Sequence, residues 1–336
     1  TSTKQFTTYH SGIYNSALGI MGNAYGLSCY NNKMWIGSST GLHCYDYSLQ
    51  LFEKKDFSFI ANGAALLPTE MMNIERNAEG KDERMWLNVP YKAVYIYDLV
   101  QEKIMNVPAA ISKYTAVEAG LVSMYIDNKN ILWLSTSLYG LIGYNIKQDK
   151  MLAFERKLFY KSREWVHHFF EDSKYNLWLC TLNGLFVMDS SNKNAIPVKA
   201  VNDLLSSSKI SSKIVSATED ENGIIWITAD YSDKKNAGII KFDPVANIAS
   251  VVYNEALQIN ANNPPVDIRS ICSNKKGKIF VVFFRDDIFW FNSNTAGDID
   301  LKIQGKQFGL NNTAIDDMIS DAEGNIWCNN SLGLSQ

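Results

Sequence analysis

The sequence lacks the features that mark several common classes of protein. It contains no CxxC motif and no histidine at metal-ligand spacing, so zinc ribbons and redox motifs find no support. A phosphate-cradling glycine loop and a nucleophile elbow are also missing. The formal net charge of −3 provides no basic field for nucleic acid. We therefore expect no cofactor, no metal site and no nucleic-acid partner.

Long apolar runs are missing as well. No stretch approaches the roughly 20 apolar residues that a helix needs to span a bilayer. The first residues, TSTKQFTTYH, do not have the layout of a signal peptide. We expect both ends to result from excision out of a longer chain, and any membrane contact to come only through flanking segments.

Cysteine is too scarce and too scattered for a complete disulfide framework. The five cysteines are an odd number, and Cys180 and Cys328 lie beside tryptophans inside apolar runs. Such a cysteine usually behaves as a small buried hydrophobe. The alternative is a disulfide such as Cys29 to Cys44.

What the sequence does contain is a repeat. Segments such as KYNLWLCTLNGLFVMD and EGNIWCNNSLGLSQ are versions of one pattern, which recurs every 45 to 54 residues. Two copies, DERMWLNVPYKAVYIYD and KGKIFVVFFRDDIFWFN, are degenerate. The anchor residues of the seven copies are Trp35, Trp86, Trp133, Trp178, Trp226, Phe280 and Trp327.

Each copy predicts four short strands. An acidic or amide residue lies six positions before several anchors, as at Asp127 and Asp220, and a glycine lies three positions before some of the same anchors, as at Gly223. Both residue types form tight turns. A second glycine follows, as at Gly184, and then an aromatic residue with a turn former. Four-stranded repeats of this length are typical of propeller blades.

We therefore predict an all-β fold, in which residues 1–336 form a single seven-bladed β-propeller domain with one tryptophan packed between each pair of blades. The seventh copy reaches only SLGLSQ, which supplies three strands at most. We expect Lys4 to Tyr9 to pair with the strand around Leu334, so that the N-terminal strand completes the last blade and closes the ring without a free edge.

The repeat also resembles a known family. The pattern D-x-x-G-x-I-W-I-x-T-x-x-G-L-x-x-Y-D is similar to the two-component regulator propeller repeat, and its residues here are Asp321, Gly324, Ile326, Trp327, Trp35, Ile36, Gly37, Gly41, Leu42, Tyr45 and Asp46. The resemblance implies a periplasmic sensor domain of a hybrid two-component system, which recognises an oligosaccharide and signals to a histidine kinase. The second copy lacks the later glycine, Phe280 replaces a tryptophan, and the fifth copy carries the insertion YSDKKNA.

A propeller binds ligands where loops converge at one mouth. Sugar recognition needs aromatic faces and planar or charged hydrogen-bonding groups, with arginine favoured for a ligand that carries carboxylate or sulfate. Residues of these types in the predicted mouth loops are Tyr91, Tyr139, Arg163, Trp165, Asp230, Tyr231, Arg269 and Arg285. The alternative is that these are ordinary solvated loop residues.

Two other functions stay open. The D-x-x-G-x-x-W turn is similar to the Asp-box of sialidases, so a glycoside hydrolase is one alternative, although the Asp-box itself forms a turn and carries no chemistry. The other is a protein-interaction propeller, since VNDLLSSSKISSK and NEALQINANNPPVDI predict long polar loops. A homodimer in the full-length protein is a further expectation.

His167 and His168 are adjacent in a strand whose side chains are expected to alternate between its two faces. The two imidazoles are therefore predicted to point to opposite faces and not to bind one metal ion together.

Overall fold

Short strands follow one another along the chain in the computed structural model. The structure describes residues 8–10, 24–30, 33–38, 41–46, 48–49, 51–55, 71–76, 82–89, 93–153, 165–189, 191–230, 236–254, 268–283, 288–295, 299, 302–303, 315–321, 323–330 and 333–335. Within these ranges, the strands form seven four-stranded sheets, one for each anchor. We number the sheets from first to seventh in the order of their anchors.

The chain divides into two compact units. The first comprises Thr1–Met151 and Trp327–Gln336, and the second comprises Leu152–Ile326. The first three sheets belong to the first unit. Up to Met151 the strands are β1 (Thr8–His10), β2 (Ala24–Tyr30), β3 (Lys33–Ser38), β4 (Gly41–Asp46), β5 (Leu51–Lys55), β6 (Met71–Arg76), β7 (Asp82–Val89), β8 (Ala93–Asp98), β9 (Lys103–Met105), β10 (Leu121–Ile126), β11 (Ile131–Thr136), β12 (Gly140–Asn145) and β13 (Lys150–Met151).

The second unit contains the fourth, fifth and sixth sheets. Its strands are β14 (Val166–Glu171), β15 (Leu177–Thr181), β16 (Gly184–Met188), β17 (Ala195–Pro197), β18 (Ile214–Glu219), β19 (Ile225–Ala229), β20 (Gly238–Asp243), β21 (Ile248–Asn254), β22 (Ile268–Ser273), β23 (Lys278–Phe283), β24 (Ile288–Asn292), β25 (Lys302–Ile303) and β26 (Ile315–Ser320). The last strands of the chain are β27 (Ile326–Asn330) and β28 (Gly333–Ser335).

Helices are few and short. They are α1 (Ser112–Thr115), the 3-10 turn Val117–Ala119, and α2 (Lys199–Ser207). Among the described residues, no helix combines the length and the apolarity that a membrane crossing requires.

Helix α2 corrects one prediction. The segment VNDLLSSSKISSK was expected to be a polar loop, but its first half is helical. Val201 and Leu205 are buried on one face, and the amide of Asn202 bonds both the N–H and the C=O of Leu185 at 2.9 and 3.0 Å. The two apolar residues at i and i+4 give the segment an amphipathic face, which tertiary packing stabilises.

The N-terminal strand pairs with the end of the chain as predicted. In β1 and β28, Thr8 lies opposite Ser335 and Tyr9 opposite Leu334, in antiparallel register. Within the first unit, the strand order of this sheet is β1-β28-β27. The predicted pairing is thus confirmed for Thr8 and Tyr9, while Lys4 to Thr7 lie outside the described residues.

In the third, fourth and fifth sheets, one aspartate holds the turn before the anchor tryptophan. In the third sheet, Oδ1 of Asp127 accepts the backbone N–H groups of Lys129 and Ile131, each at 2.9 Å. Its Oδ2 accepts the indole N–H of Trp133 at 2.9 Å. Equivalent indole bonds join Asp172 to Trp178 at 3.0 Å and Asp220 to Trp226 at 2.9 Å. The predicted turns are confirmed, and the indole bond is an additional finding.

The anchor tryptophans pack against aromatic residues of the next sheet along the chain. Ring centroids lie 6.4 Å apart for Trp35 and Tyr97, 5.9 Å for Trp178 and Phe242, and 5.0 Å for Trp226 and Phe291. In the first unit, Trp327 of the seventh sheet lies 6.1 Å from Tyr45 of the first. These contacts confirm that the anchors pack between neighbouring sheets, where buried aromatic pairs contribute strongly to stability.

The first, second and sixth copies have no aspartate six positions before the anchor to accept an indole N–H. In the second sheet, Glu75 accepts the indole N–H of Trp86 at 3.1 Å and also pairs with Arg84 at 3.6 Å. In the sixth, Asn274 holds the turn, and the phenyl ring of Phe280 has no N–H that needs an acceptor. In the first, the buried indole N–H of Trp35 has no hydrogen-bond partner among the residues that the structure describes.

Four cysteines, namely Cys44, Cys180, Cys272 and Cys328, are buried and form no disulfide. The interpretation of Cys180 and Cys328 as small buried hydrophobes is therefore confirmed, and the alternative disulfide between Cys29 and Cys44 is wrong. Burial raises the pKa of the Cys328 thiol to about 12, so this side chain stays a neutral thiol.

The indole bond can be tested by changing one carboxylate oxygen. Asp127→Asn keeps Oδ1 for the turn but presents an amide N–H₂ to the indole N–H of Trp133. A buried donor without an acceptor costs about 1–3 kcal/mol, so we expect urea unfolding to show a loss of this size. Asp98→Asn is the matched control, because Oδ1 of Asp98 accepts two backbone N–H groups, at 2.9 and 2.7 Å, in a comparable turn. Equal losses in the two variants would contradict the role of the indole bond.

Two turn glycines provide a second test. Gly223 and Gly324 both have positive φ, at 78° and 76°. A Cβ at Gly324 would lie 2.7 Å from the backbone oxygen of Asn274, whereas a Cβ at Gly223 would lie 3.9 Å from a carboxylate oxygen of Glu219. Both alanine variants should lose about 1–2 kcal/mol from backbone strain. Gly324→Ala should lose about 1–3 kcal/mol more from overpacking, which thermal or urea unfolding would measure. Equal stability would show that the neighbouring backbone yields without strain.

Candidate functional site

The segments before the first strands of the sheets meet the loops that join the second and third strands. In the third sheet, the N–H of Ser137 donates to the C=O of Gly120 at 2.8 Å. In the fifth, the N–H of Asp230 donates to the C=O of Lys213 at 2.9 Å. These two kinds of segment therefore lie at the same end of the strands in each of these sheets, as predicted. We call this end of the strands the loop face.

The predicted ligand residues have different outcomes. Tyr91, Arg163, Tyr231 and Arg285 lie outside the described residues. Tyr139 belongs to the first unit, and Trp165, Asp230 and Arg269 belong to the second. The structure describes these four side chains and tests none of them for ligand binding.

Tyr139 is part of a packed aromatic group. Its ring lies 5.0 Å from that of Tyr114 in an edge-to-face arrangement, and the ammonium of Lys113 lies 4.7 Å from the Tyr114 ring centroid. Beside it, Leu138 is 50% exposed. Tyr139 thus has a packing role and lies next to an exposed apolar side chain.

Trp165 and Asp230 belong to a cluster in the second unit. The ring of Trp165 lies 6.4 Å from that of His167, at an interplanar angle of 60°. Lys213, which precedes β18, forms an ion pair with Asp230, which follows β19. Strand β14, which contains His167, lies beside β18, and the charge of Lys213 lowers the pKa of His167. We call these four residues the Trp165 cluster.

A β-bulge determines the position of His167. Val166 lies opposite Thr181, but His168 lies opposite the adjacent Cys180, so His167 is the extra residue. The same bulge occurs at the same place in the first, third, fifth and sixth sheets. The extra residues there are Tyr25, Val122, Val215 and Arg269. Bulges of this kind redirect a side chain and are common beside functional sites.

The imidazole of His167 is not satisfied within the protein. Its Nε2 atom is buried and has no hydrogen-bond partner in the part of the chain that the structure describes. Burial, followed by the charge of Lys213, lowers the pKa of His167. The ring is therefore neutral at pH 7, and it has one unpaired polar atom. Buried polar atoms in folded proteins are nearly always paired, so this exception calls for an explanation.

The ion pair keeps the cluster electrically balanced. The side chain of Asp230 is 9% exposed and that of Lys213 is 34% exposed. Lys213 is therefore the more accessible partner of the pair, and Asp230 is the more deeply buried one. With a neutral His167, the formal charge of the cluster is zero.

Sequence reasoning missed His167 and Lys213 as members of this cluster. It considered His167 only as a metal ligand, on the assumption of a regular alternating strand, and the bulge breaks that alternation. Lys213 gave no signal of its own, since its partner Asp230 lies 17 residues further along the chain. No group of three or more possible metal ligands occurs among the residues that the structure describes.

Known proteins resemble this chain mainly in fold. A scan against protein-family profiles finds no match. Histidine kinase P4 of Formosa agariphila is 28% identical over 125 residues, which cover 35% of this chain and 9% of the kinase. The extracellular domain of a proposed hybrid two-component system from B. thetaiotaomicron has a TM-score of 0.69 at 16% identity, over 98% of this chain and 39% of that one. The WD40 repeats of RRP9 have a TM-score of 0.64 at 8% identity, over 99% of this chain and 91% of that one.

These likenesses confirm the predicted all-β fold and the predicted resemblance to the extracellular parts of hybrid two-component systems. The chain spans 39% of that extracellular domain and 9% of the curated kinase it matches. At identities of 16% and 8%, the likeness to these solved structures shows the fold alone.

The two adjacent histidines predict how stability depends on pH. Burial lowers the pKa of His168 from 6.5 to about 4, and the pKa of His167 is lowered too. The unfolded chain then takes up protons at a higher pH than the folded chain does. Stability should be complete above pH 6.5 and should fall between pH 6.5 and about 4, by at most about 1.4 kcal/mol per pH unit for each histidine. Urea unfolding of His168→Gln should show a smaller loss, and an unchanged pH profile would contradict this.

Proposed function

We propose that the chain is a seven-bladed propeller whose ring is closed by the N-terminal strand, with residues 1–336 forming one domain. Two observations support closure within the first unit. The N-terminal strand pairs with the last strand of the chain. Trp327 contacts Tyr45 in the same way that Trp35 contacts Tyr97. This contact links the last repeat to the first, which a linear array of repeats would leave apart.

We propose further that this propeller is the extracytoplasmic, periplasmic ligand-sensing part of a hybrid two-component system. The observation that carries this proposal is the likeness, over nearly the whole chain, to the extracellular domain of one such system. The partial sequence match to a histidine kinase supports the same assignment. The kinase activity of the parent protein would reside in segments outside this domain.

The proposed ligand is an oligosaccharide bound at the loop face. The predicted contacts are Tyr91, Tyr139, Arg163, Trp165, Asp230, Tyr231, Arg269 and Arg285. In the full-length protein, we propose that two copies form a homodimer and that binding changes how they meet. The size of that change is limited by the difference in ligand affinity between the two arrangements.

This domain itself has no proposed catalytic activity. A sialidase-like hydrolase needs a carboxylate and a nucleophile that face one another across the substrate. The carboxylates of the Asp-box turns, such as Asp127 and Asp220, instead accept hydrogen bonds from their own turns and from buried indoles. These side chains serve the framework.

A protein-interaction role is the second candidate. Leu49 and Val100 are 66% and 76% exposed, and each follows an aspartate, Asp46 or Asp98, that holds the turn after the third strand. The recurrence of an exposed apolar side chain at matching turns is the observation that supports this role.

Glycan binding decides among these functions. Differential scanning fluorimetry and calorimetry against a panel of neutral, uronate-containing and sulfated oligosaccharides should give a thermal shift for at least one ligand, because a ligand that binds only the folded state stabilises it. Chromatography of the same mixtures should show no released sugar. Product formation would support the hydrolase, and an intact fold without any shift would favour the interaction role.

A further inference from the structure

We infer that the Trp165 cluster is a subsite for an uncharged, hydroxyl-rich sugar ring, which packs against Trp165 and bonds His167 Nε2 through one hydroxyl. The inference rests on the proposed glycan-sensing function and names the ligand class and the residues that recognise it. It adds His167 and Lys213 to the predicted contacts and assigns separate roles to Lys213 and Asp230.

The unpaired nitrogen of His167 is the first argument. A buried polar atom without a partner lowers stability, and it is retained where a ligand completes its hydrogen bond. A sugar hydroxyl can both donate and accept, so it satisfies Nε2 in either tautomer of a neutral imidazole. The repeated bulge places this ring on the loop face, next to Trp165.

The aromatic neighbour is the second argument. Trp165 is half-buried and lies in edge-to-face contact with His167. The face of an indole suits the C–H side of a pyranose ring, and a hydrogen-bonding group beside it fixes the orientation of that ring. Apolar surface with a few well-placed polar groups is the usual composition of small-ligand sites.

The charge balance is the third argument, and it favours a neutral sugar. Lys213 already has a carboxylate partner in Asp230, so a ligand carboxylate would have to approach a second carboxylate. The ammonium of Lys213 has three donors, and its partial exposure leaves it accessible to a hydroxyl. His167 is held neutral by burial and by Lys213, and therefore does not supply a second cation.

Arg269 is the residue that an acidic sugar would contact. It occupies the bulge of the sixth sheet, and it is exposed. In the second unit, β18 lies beside both β14 and β22. A ligand that engaged Arg269 instead of the Trp165 cluster would depend on Arg269 and not on His167, which separates the two possibilities.

The first experiment measures affinity for neutral gluco-, manno- and xylo-oligosaccharides and for oligogalacturonate by calorimetry. We expect a neutral ligand to bind the wild-type domain, and Trp165→Ala and His167→Leu each to weaken it by about ten-fold or more, the loss typical of a truncated buried contact. His167→Gln should restore most of the affinity because its amide can also bond a hydroxyl. The matched control is Tyr175→Asn, an exposed aromatic residue in the turn at the opposite end of the same sheet.

The second experiment uses the ion pair as a switch of specificity. Asp230→Asn leaves Lys213 without its counter-charge, so we expect weaker binding of the neutral sugar and several-fold stronger binding of oligogalacturonate. A purely structural role for Asp230 would weaken both ligands alike. Thermal unfolding of each variant establishes that the fold is intact, and His167→Gln provides the test if His167→Leu does not fold.

Each outcome separates this inference from the proposed function. If a glycan binds but Trp165→Ala and His167→Leu bind it like wild type, the subsite is wrong and glycan sensing stands. If only oligogalacturonate binds, and Arg269→Ala abolishes that binding, the neutral ligand class is wrong. If the folded wild-type domain binds none of the glycans, both the proposed sensing function and the subsite are wrong.

Discussion

The hydrogen bonds of one carboxylate hold each regular repeat together. Asp127 accepts two backbone N–H groups of its turn and the indole N–H of Trp133. The same side chain therefore closes the hairpin and fixes the tryptophan that packs against the next sheet. Two repeats that lack this aspartate differ at the anchor. Glu75 accepts the indole N–H of Trp86, and Phe280 has no N–H that needs an acceptor. These departures are tolerated because burial of the aromatic ring contributes more to stability than the hydrogen bond of the indole N–H does.

These turns and the loop face lie at opposite ends of the strands. The carboxylate turns join the first strand of a sheet to the second, and the loop face includes the connection from the second to the third. Framework bonds are therefore concentrated at one end, and the other end is free to vary. The bulge shows this separation well, because its backbone irregularity recurs in five sheets while its occupant changes from His167 to Val215 to Arg269.

The Trp165 cluster joins this framework to the proposed recognition of sugars. Its bulged histidine, its aromatic neighbour and its ion pair come from the edges of two adjacent sheets of the second unit. Each element alone has an ordinary structural explanation. Their proximity, together with a buried nitrogen that has no hydrogen-bond partner in the described part of the chain, supports the proposal that this cluster binds a neutral sugar.

The sequence by itself determined the repeat, its four strands, the turn residues and the pairing of Tyr9 with Leu334, because these depend on local turn chemistry and on a period that seven copies reinforce. It also pointed to Trp165 and Asp230. The tertiary structure alone decided that His167 is the extra residue of a bulge, that Lys213 pairs with Asp230, and that α2 replaces an expected loop. Those features depend on contacts between segments that are distant in sequence, and no local pattern records which partner a side chain will meet.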